Sequence, residues 1–134
     1  MALFLLYCCP VLAGACDTTI SSATTSQLDC DDNDSLTVDS DGSIAYDDQN
    51  AVNAQQEDGV TITNSGTIKT TTDGGDGDSA IKGQSSLNLT VTNSGTILSA
   101  EDYGIKLIEA EKITITNEVE ATIKATPESS GSQI

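Results

Sequence analysis

The chain has no histidine, no tryptophan and no arginine, and its aromatic residues amount to only 3% of 134. Its five basic residues are all lysines, Lys69, Lys82, Lys106, Lys112 and Lys124, against 21 Asp and Glu, for a net charge of −16. That balance excludes nucleic acid as a partner, since phosphate binding needs clustered Lys or Arg. It also opposes docking on an anionic membrane surface and favours solubility outside the cell. With so few rings available, any core must be narrow and aliphatic, stabilised by about 1.5 to 3 kcal/mol per buried Val, Leu or Ile. No apolar run has helical spacing long enough to compete with strands.

What is present is repetition. Thr-Ile-Thr-Asn-Ser-Gly-Thr-Ile at residues 61–68 returns as Thr-Val-Thr-Asn-Ser-Gly-Thr-Ile at residues 90–97, with fainter copies at residues 37–44 and 114–123 and a Thr-Thr-Ile remnant ending at Ile20. The closing isoleucines Ile20, Ile44, Ile68, Ile97 and Ile123 are 24, 24, 29 and 26 residues apart, so the base period is 24 with insertions of five and two. A second marker follows eight residues after Ile20, Ile44 and Ile97, at Leu28, Val52 and Ile105, but thirteen after Ile68, at Ile81. The larger insertion therefore falls between Ile68 and Ile81. Nine residues beyond each second marker, at Thr37, Thr61, Thr90 and Thr114, the next run begins.

Inside each unit apolar residues alternate with Thr or Asn, as in Leu36 and Val38, Val60 and Ile62, Leu89 and Val91, and Ile113 and Ile115. A period of two means strands with one buried face. Three short strands and three turns in about 24 residues describe one coil of a right-handed parallel β-helix, and the sequence predicts about five such coils stacked at roughly 4.8 Å. Residues 104–113 look helical in isolation, but their register matches the earlier coils and predicts a strand. Asn64, Asn93 and Asn117 fall at one turn, where stacked side-chain amides can form a hydrogen-bonded ladder. Tolerance of a positive φ by Asn is the competing account.

The N-terminus reads as an export signal. An apolar run from Ala2 to Val11, too short to span a bilayer, precedes Ala13-Gly14-Ala15, which predicts cleavage after Ala15. The domain plan is then a signal peptide over 1–15, a capping segment and first coil over 16–36, repeats over 37–126 and a tail over 127–134. Acylation of Cys16 is the alternative to plain cleavage. Cys8 and Cys9 leave with the signal, and Cys16 and Cys30 remain as an even pair suited to a disulfide. Metal binding by two thiols without histidine is disfavoured.

Together, the signal, the Cys-containing start, the Asp-Ser-Leu-Thr-Val segment and the iterated Thr-Ile-Thr-Asn-Ser-Gly-Thr-Ile resemble the N-terminal passenger region of bacterial autotransporters, the type V secretion proteins. The resemblance covers residues 1 to about 126. It implies an adhesin-like scaffold secreted or displayed at the surface of a Gram-negative bacterium, with an unidentified surface ligand as partner. It also implies a C-terminal outer-membrane β-barrel in the parent protein. No such barrel pattern is found here, so a passenger fragment is expected.

The alternative is a β-helical carbohydrate-active enzyme, a polysaccharide lyase or hydrolase. Pectate-lyase-like and polygalacturonase-like sites draw on carboxylates with Arg and sometimes His, and without Arg or His those sets are incomplete. The acid pairs Asp47 with Asp48 and Glu101 with Asp102 could serve as acid and base, but adjacent acids arise without a role in so acidic a chain, and no catalytic residue is assigned. The insertion Asp73-Gly74-Gly75-Asp76-Gly77-Asp78 resembles the start of glycine-rich Ca2+-binding repeats, with Asp73, Asp76 and Asp78 as candidate ligands. It occurs once, so a solvated loop is the competing account and no cofactor is expected beyond that Ca2+ option. The acidic stretch Asp29–Asp34 lacks the Gly and terminal Glu of a helix-loop-helix calcium site.

Overall fold

A computed structural model describes residues 14–71, 79–100 and 102–126. Among these residues fifteen strands form three five-stranded sheets, and every pairing is parallel. The first sheet holds β1 (Gly14–Ala15), β4 (Leu28–Asp29), β7 (Val52–Asn53), β10 (Ser79–Gln84) and β13 (Tyr103–Ile108). The second holds β2 (Thr18–Ile20), β5 (Ser35–Val38), β8 (Thr61–Asn64), β11 (Thr90–Asn93) and β14 (Thr114–Asn117). The third holds β3 (Ala23–Thr24), β6 (Ser43–Tyr46), β9 (Thr67–Thr70), β12 (Thr96–Ser99) and β15 (Thr122–Ala125). Each coil contributes one strand to each sheet, and the five coils make a parallel β-helix. Residues 103–108 are strand, not helix.

The core is built around one main aliphatic column per sheet, with Val38, Val60 and Leu89 buried beside the second. Leu28, Val52, Ile81 and Ile105 stack in the first sheet, Leu36, Ile62, Val91 and Ile115 in the second, and Ile44, Ile68, Ile97 and Ile123 in the third. Alternation places these side chains inward because successive Cβ atoms point to opposite faces of a strand. Neighbouring coils then bury one another's apolar face, which no single coil can do alone.

The corners explain residues that hydrophobic patterning does not. Between the second and third sheets, a Cβ on Gly66 would collide with the carbonyl oxygen of Gly42 below it, and one on Gly95 with that of Gly66. The Asn-Ser-Gly repeat therefore requires glycine for close backbone approach. The last coil replaces this turn with Glu118-Val119-Glu120-Ala121, which absorbs the two-residue insertion and leaves Val119 94% exposed. Between the first and second sheets, Asn33, Gly59, Asn88 and Lys112 all take positive φ, at 63°, 77°, 52° and 55°. Backbone bonds from Asn33 N to Asp58 O, Gly59 N to Leu87 O and Asn88 N to Glu111 O hold them in one column.

Two register expectations fail in the first coils. Ile20 pairs with Val38, and Ile44 pairs with Thr24 instead of Ile20. Thr37 pairs with Thr63, not Thr61. The turn from Val38 to Ile44 is two residues longer than that from Asn64 to Ile68, and the preceding corner is correspondingly shorter. A displacement of two preserves which side chains face inward, so the apolar pattern alone does not detect it. The first coil is also short: Ala15 pairs with Asp29, whereas Leu28 and Val52 are a full period apart.

Candidate functional site

The paired thiols sit at the narrow end of the rod. Cys16 and Cys30 form a disulfide with a Cα–Cα distance of 4.5 Å and a sequence separation of 14. Both are buried, and Cys16 N donates to Asp29 O while Cys30 N donates to Asn53 O. The bridge thus ties the first coil to the second, directly beside β1. Gly14 and Ala15, which the expected cleavage would remove, supply β1 and its pairing with Leu28 and Asp29.

Asn64, Asn93 and Asn117 stack in the second sheet. Asn64 Nδ2 donates to Asn93 Oδ1 at 2.8 Å, and Asn93 Nδ2 donates to Asn117 Oδ1 at 2.8 Å. Each amide also reaches a backbone carbonyl of the coil above, Thr96 O from Asn64 and Thr122 O from Asn93, both at 3.1 Å. None of the three has positive φ. At the far end Asn117 Nδ2 turns back to Ala121 O at 2.9 Å. These bonds knit the turn between the second and third sheets, which makes the ladder a structural element instead of a reactive one.

One group of acidic residues, Asp31, Asp32, Asp34, Glu57 and Asp58, gathers at the corner between the first and second sheets. Asp34 Oδ2 accepts from Asp31 N at 2.8 Å, Asp32 Oδ1 accepts from Asp58 N at 2.8 Å, and Asn88 Nδ2 donates to Asp58 Oδ1 at 2.6 Å. Glu57 lies beside Asp32, and its carboxyl is held above the usual range by desolvation first, then by a hydrogen bond with Asp32 and the charges of Asp32, Asp31 and Asp34. Among the described residues, no group of three or more His, Cys, Asp or Glu is placed to hold a metal ion. Asp73, Asp76, Asp78 and Glu101 lie outside the described residues. Asp47, Asp48 and Asp102 are exposed.

An exposed last coil follows from the repeat pattern, but the residues that line its end face do not. A cleft of about 390 Å³ is lined by Tyr103, Ile105, Lys106, Leu107, Ile108 and Ile115, with Lys106 Nζ 5.2 Å from the Tyr103 ring centroid. It exists because, among the described residues, β13 and β14 are the end strands of their sheets and no further coil covers them. The last isoleucine of each column carried that signal, since a core position at the end of a stack has one neighbour instead of two.

No family model matches this chain, and neither the curated proteins nor the solved structures searched contain a match.

Proposed function

We propose that the chain is an exported, adhesin-like β-helical scaffold of the passenger type, whose work is presentation and not catalysis. The observation that carries this reading is the rod itself: among the described residues, three in-register parallel sheets of five strands each, tied at the N-terminal end by a disulfide. A stack of this kind sets turns at fixed heights along a stiff axis, which suits multivalent contact with a surface. The Cys16–Cys30 bridge supports an oxidising destination.

Expression of the full chain in a Gram-negative host tests the reading. Recovery outside the cytoplasm, with an N-terminus at Cys16 and the disulfide formed, is the expected result. A chain retained in the cytoplasm from Met1 with free thiols would sink it. In parallel, incubation with acidic polysaccharides should release neither unsaturated products nor new reducing ends; release of either would favour the carbohydrate-active alternative.

A further inference from the structure

The outer face of the second sheet differs from the outer faces of the other two. Its strands place Ser35, Thr61, Thr90 and Thr114 in one file. Two residues along each strand, Thr19, Thr37, Thr63, Thr92 and Thr116 form a second file. The residues between the files, Leu36, Ile62 and Val91, are fully buried, so the hydroxyl-bearing side chains point outward. Along the rod the files repeat at the inter-strand spacing of about 4.8 Å, and across it at about 6.6 to 6.8 Å, twice the rise per residue. The result is a two-dimensional lattice of nine hydroxyls, eight of them threonine.

Strand propensity favours Thr on any exposed sheet, so it would enrich all three faces alike. It does not. The first sheet's outward column runs Asp29, Asn53, Lys82, Lys106, and the third sheet carries Ala45, Lys69, Leu98 and Lys124 beside its own hydroxyl file. In a chain of net charge −16, the nine positions of the two files hold no charge, the nearest carboxylate along the first file being Asp17 at its foot, which accepts from Ser35 N. None of their hydroxyls shares a side-chain hydrogen bond with another described residue, so their donors and acceptors are directed to solvent.

We propose that this face binds ice. An uncharged lattice selects an uncharged, periodic ligand, which rules out phosphates and charged glycans. Sugar rings are ordinarily gripped by aromatic platforms and by bidentate amides or carboxylates, and neither file contains one. Threonine offers a hydroxyl that joins a water lattice and a methyl that holds an ordered water cage beside it. Its β-branched χ1 is stiff, and the ladder-knit backbone fixes its spacing, so ordering the array on binding costs little entropy. Each contact is small; repetition over two files makes the sum large.

The test uses the full, disulfide-intact chain in slowly growing polycrystalline ice, with recrystallisation inhibition as a second readout. Wild type should enter the ice and halt grain growth. The double variant Thr63→Lys with Thr92→Lys should lose both, while Leu98→Glu, which changes charge on the third sheet between Lys69 and Lys124, should keep both. If lysine disturbs the far-ultraviolet spectrum, Thr63→Ser with Thr92→Ser keeps the hydroxyls, removes the methyls and should still weaken retention. Exclusion of the wild type from ice, equal loss in the two charge variants, or retention on crystalline cellulose without retention in ice would each overturn the proposal.

Discussion

Asn64 lies directly above Val38 in one inward column, and its buried Oδ1 has no hydrogen-bond donor. The two facts are linked. Each ladder amide donates upward, so the lowest member needs a donor from below, and valine has none. Any such ladder carries one unfilled acceptor at its first rung, while each added rung contributes a satisfied bond. Replacing Asn64 by Val therefore moves the orphan oxygen to Asn93 without adding another. Replacing Asn93 by Val leaves Asn64 Oδ1 unfilled and removes two ladder bonds instead of one, the acceptor of Asn64 Nδ2 and the donor to Asn117 Oδ1, the latter at an exposed residue that water can serve. Equilibrium urea unfolding should find Asn93→Val less stable than Asn64→Val by about 0.5 to 1.5 kcal/mol, the net worth of one further hydrogen bond; equal midpoints would mean that the amide chain contributes nothing beyond packing.

The disulfide acts on the coil with the least core. Its aliphatic columns thin to Thr18 and Thr24 below Leu36 and Ile44, so burial there is poor. Closing a loop of about 15 residues is worth about 3 kcal/mol in the chain-entropy account. Reduction, or Cys30→Ser, should destabilise the N-terminal coil by about 2 to 4 kcal/mol and speed amide exchange over residues 16–30 before it affects residues 60–70. Uniform loss of protection along the rod would show instead that the coils unfold as one unit.

Period and alternation made the repeat units, their three strands and the site of the larger insertion legible, because each inward Ile or Val must meet its equivalent one coil away. The Asn ladder was legible for the same reason. The register of β2 and β5 was not, since Thr37 opposite Thr61 and Thr37 opposite Thr63 bury the same side chains. The left-handed column was hidden as well: Asn33 and Gly59 are ordinary turn residues, but Lys112 carries no sequence signal for positive φ. The acidic corner was visible only as composition, because Asp32 and Glu57 are neighbours through stacking and not through sequence.

Those neighbours give a pH dependence. The carboxyl of Glu57 is raised by desolvation and by the Asp32, Asp31 and Asp34 groups facing it, so the folded chain holds that proton more tightly than the unfolded chain. Its stabilising contribution is present below the unfolded value and is lost as pH rises through the folded one. Glu57→Gln should accordingly match wild type in acid and become the more stable protein towards neutrality. A difference in urea midpoint that stays constant across that range would remove Glu57 from the account.

Val91 and Ile115 occupy adjacent positions in one column, yet Val91 is fully buried and Ile115 is 43% exposed. The same substitution should therefore have unlike effects. Val91→Thr puts a hydroxyl where water does not reach, at a cost of about 1 to 3 kcal/mol. Ile115→Thr removes an apolar group that solvent already touches, and should change stability by no more than about 0.5 kcal/mol. It should also reduce association in concentrated solution, because among the described residues β13, β14 and β15 are unpaired on one edge, beside Leu107 and Ile108. Sedimentation of the two variants against wild type separates the effects. Were Ile115→Thr to cost as much as Val91→Thr in dilute, monomeric solution, the wide end would have to be covered, and the open-rod description would fail.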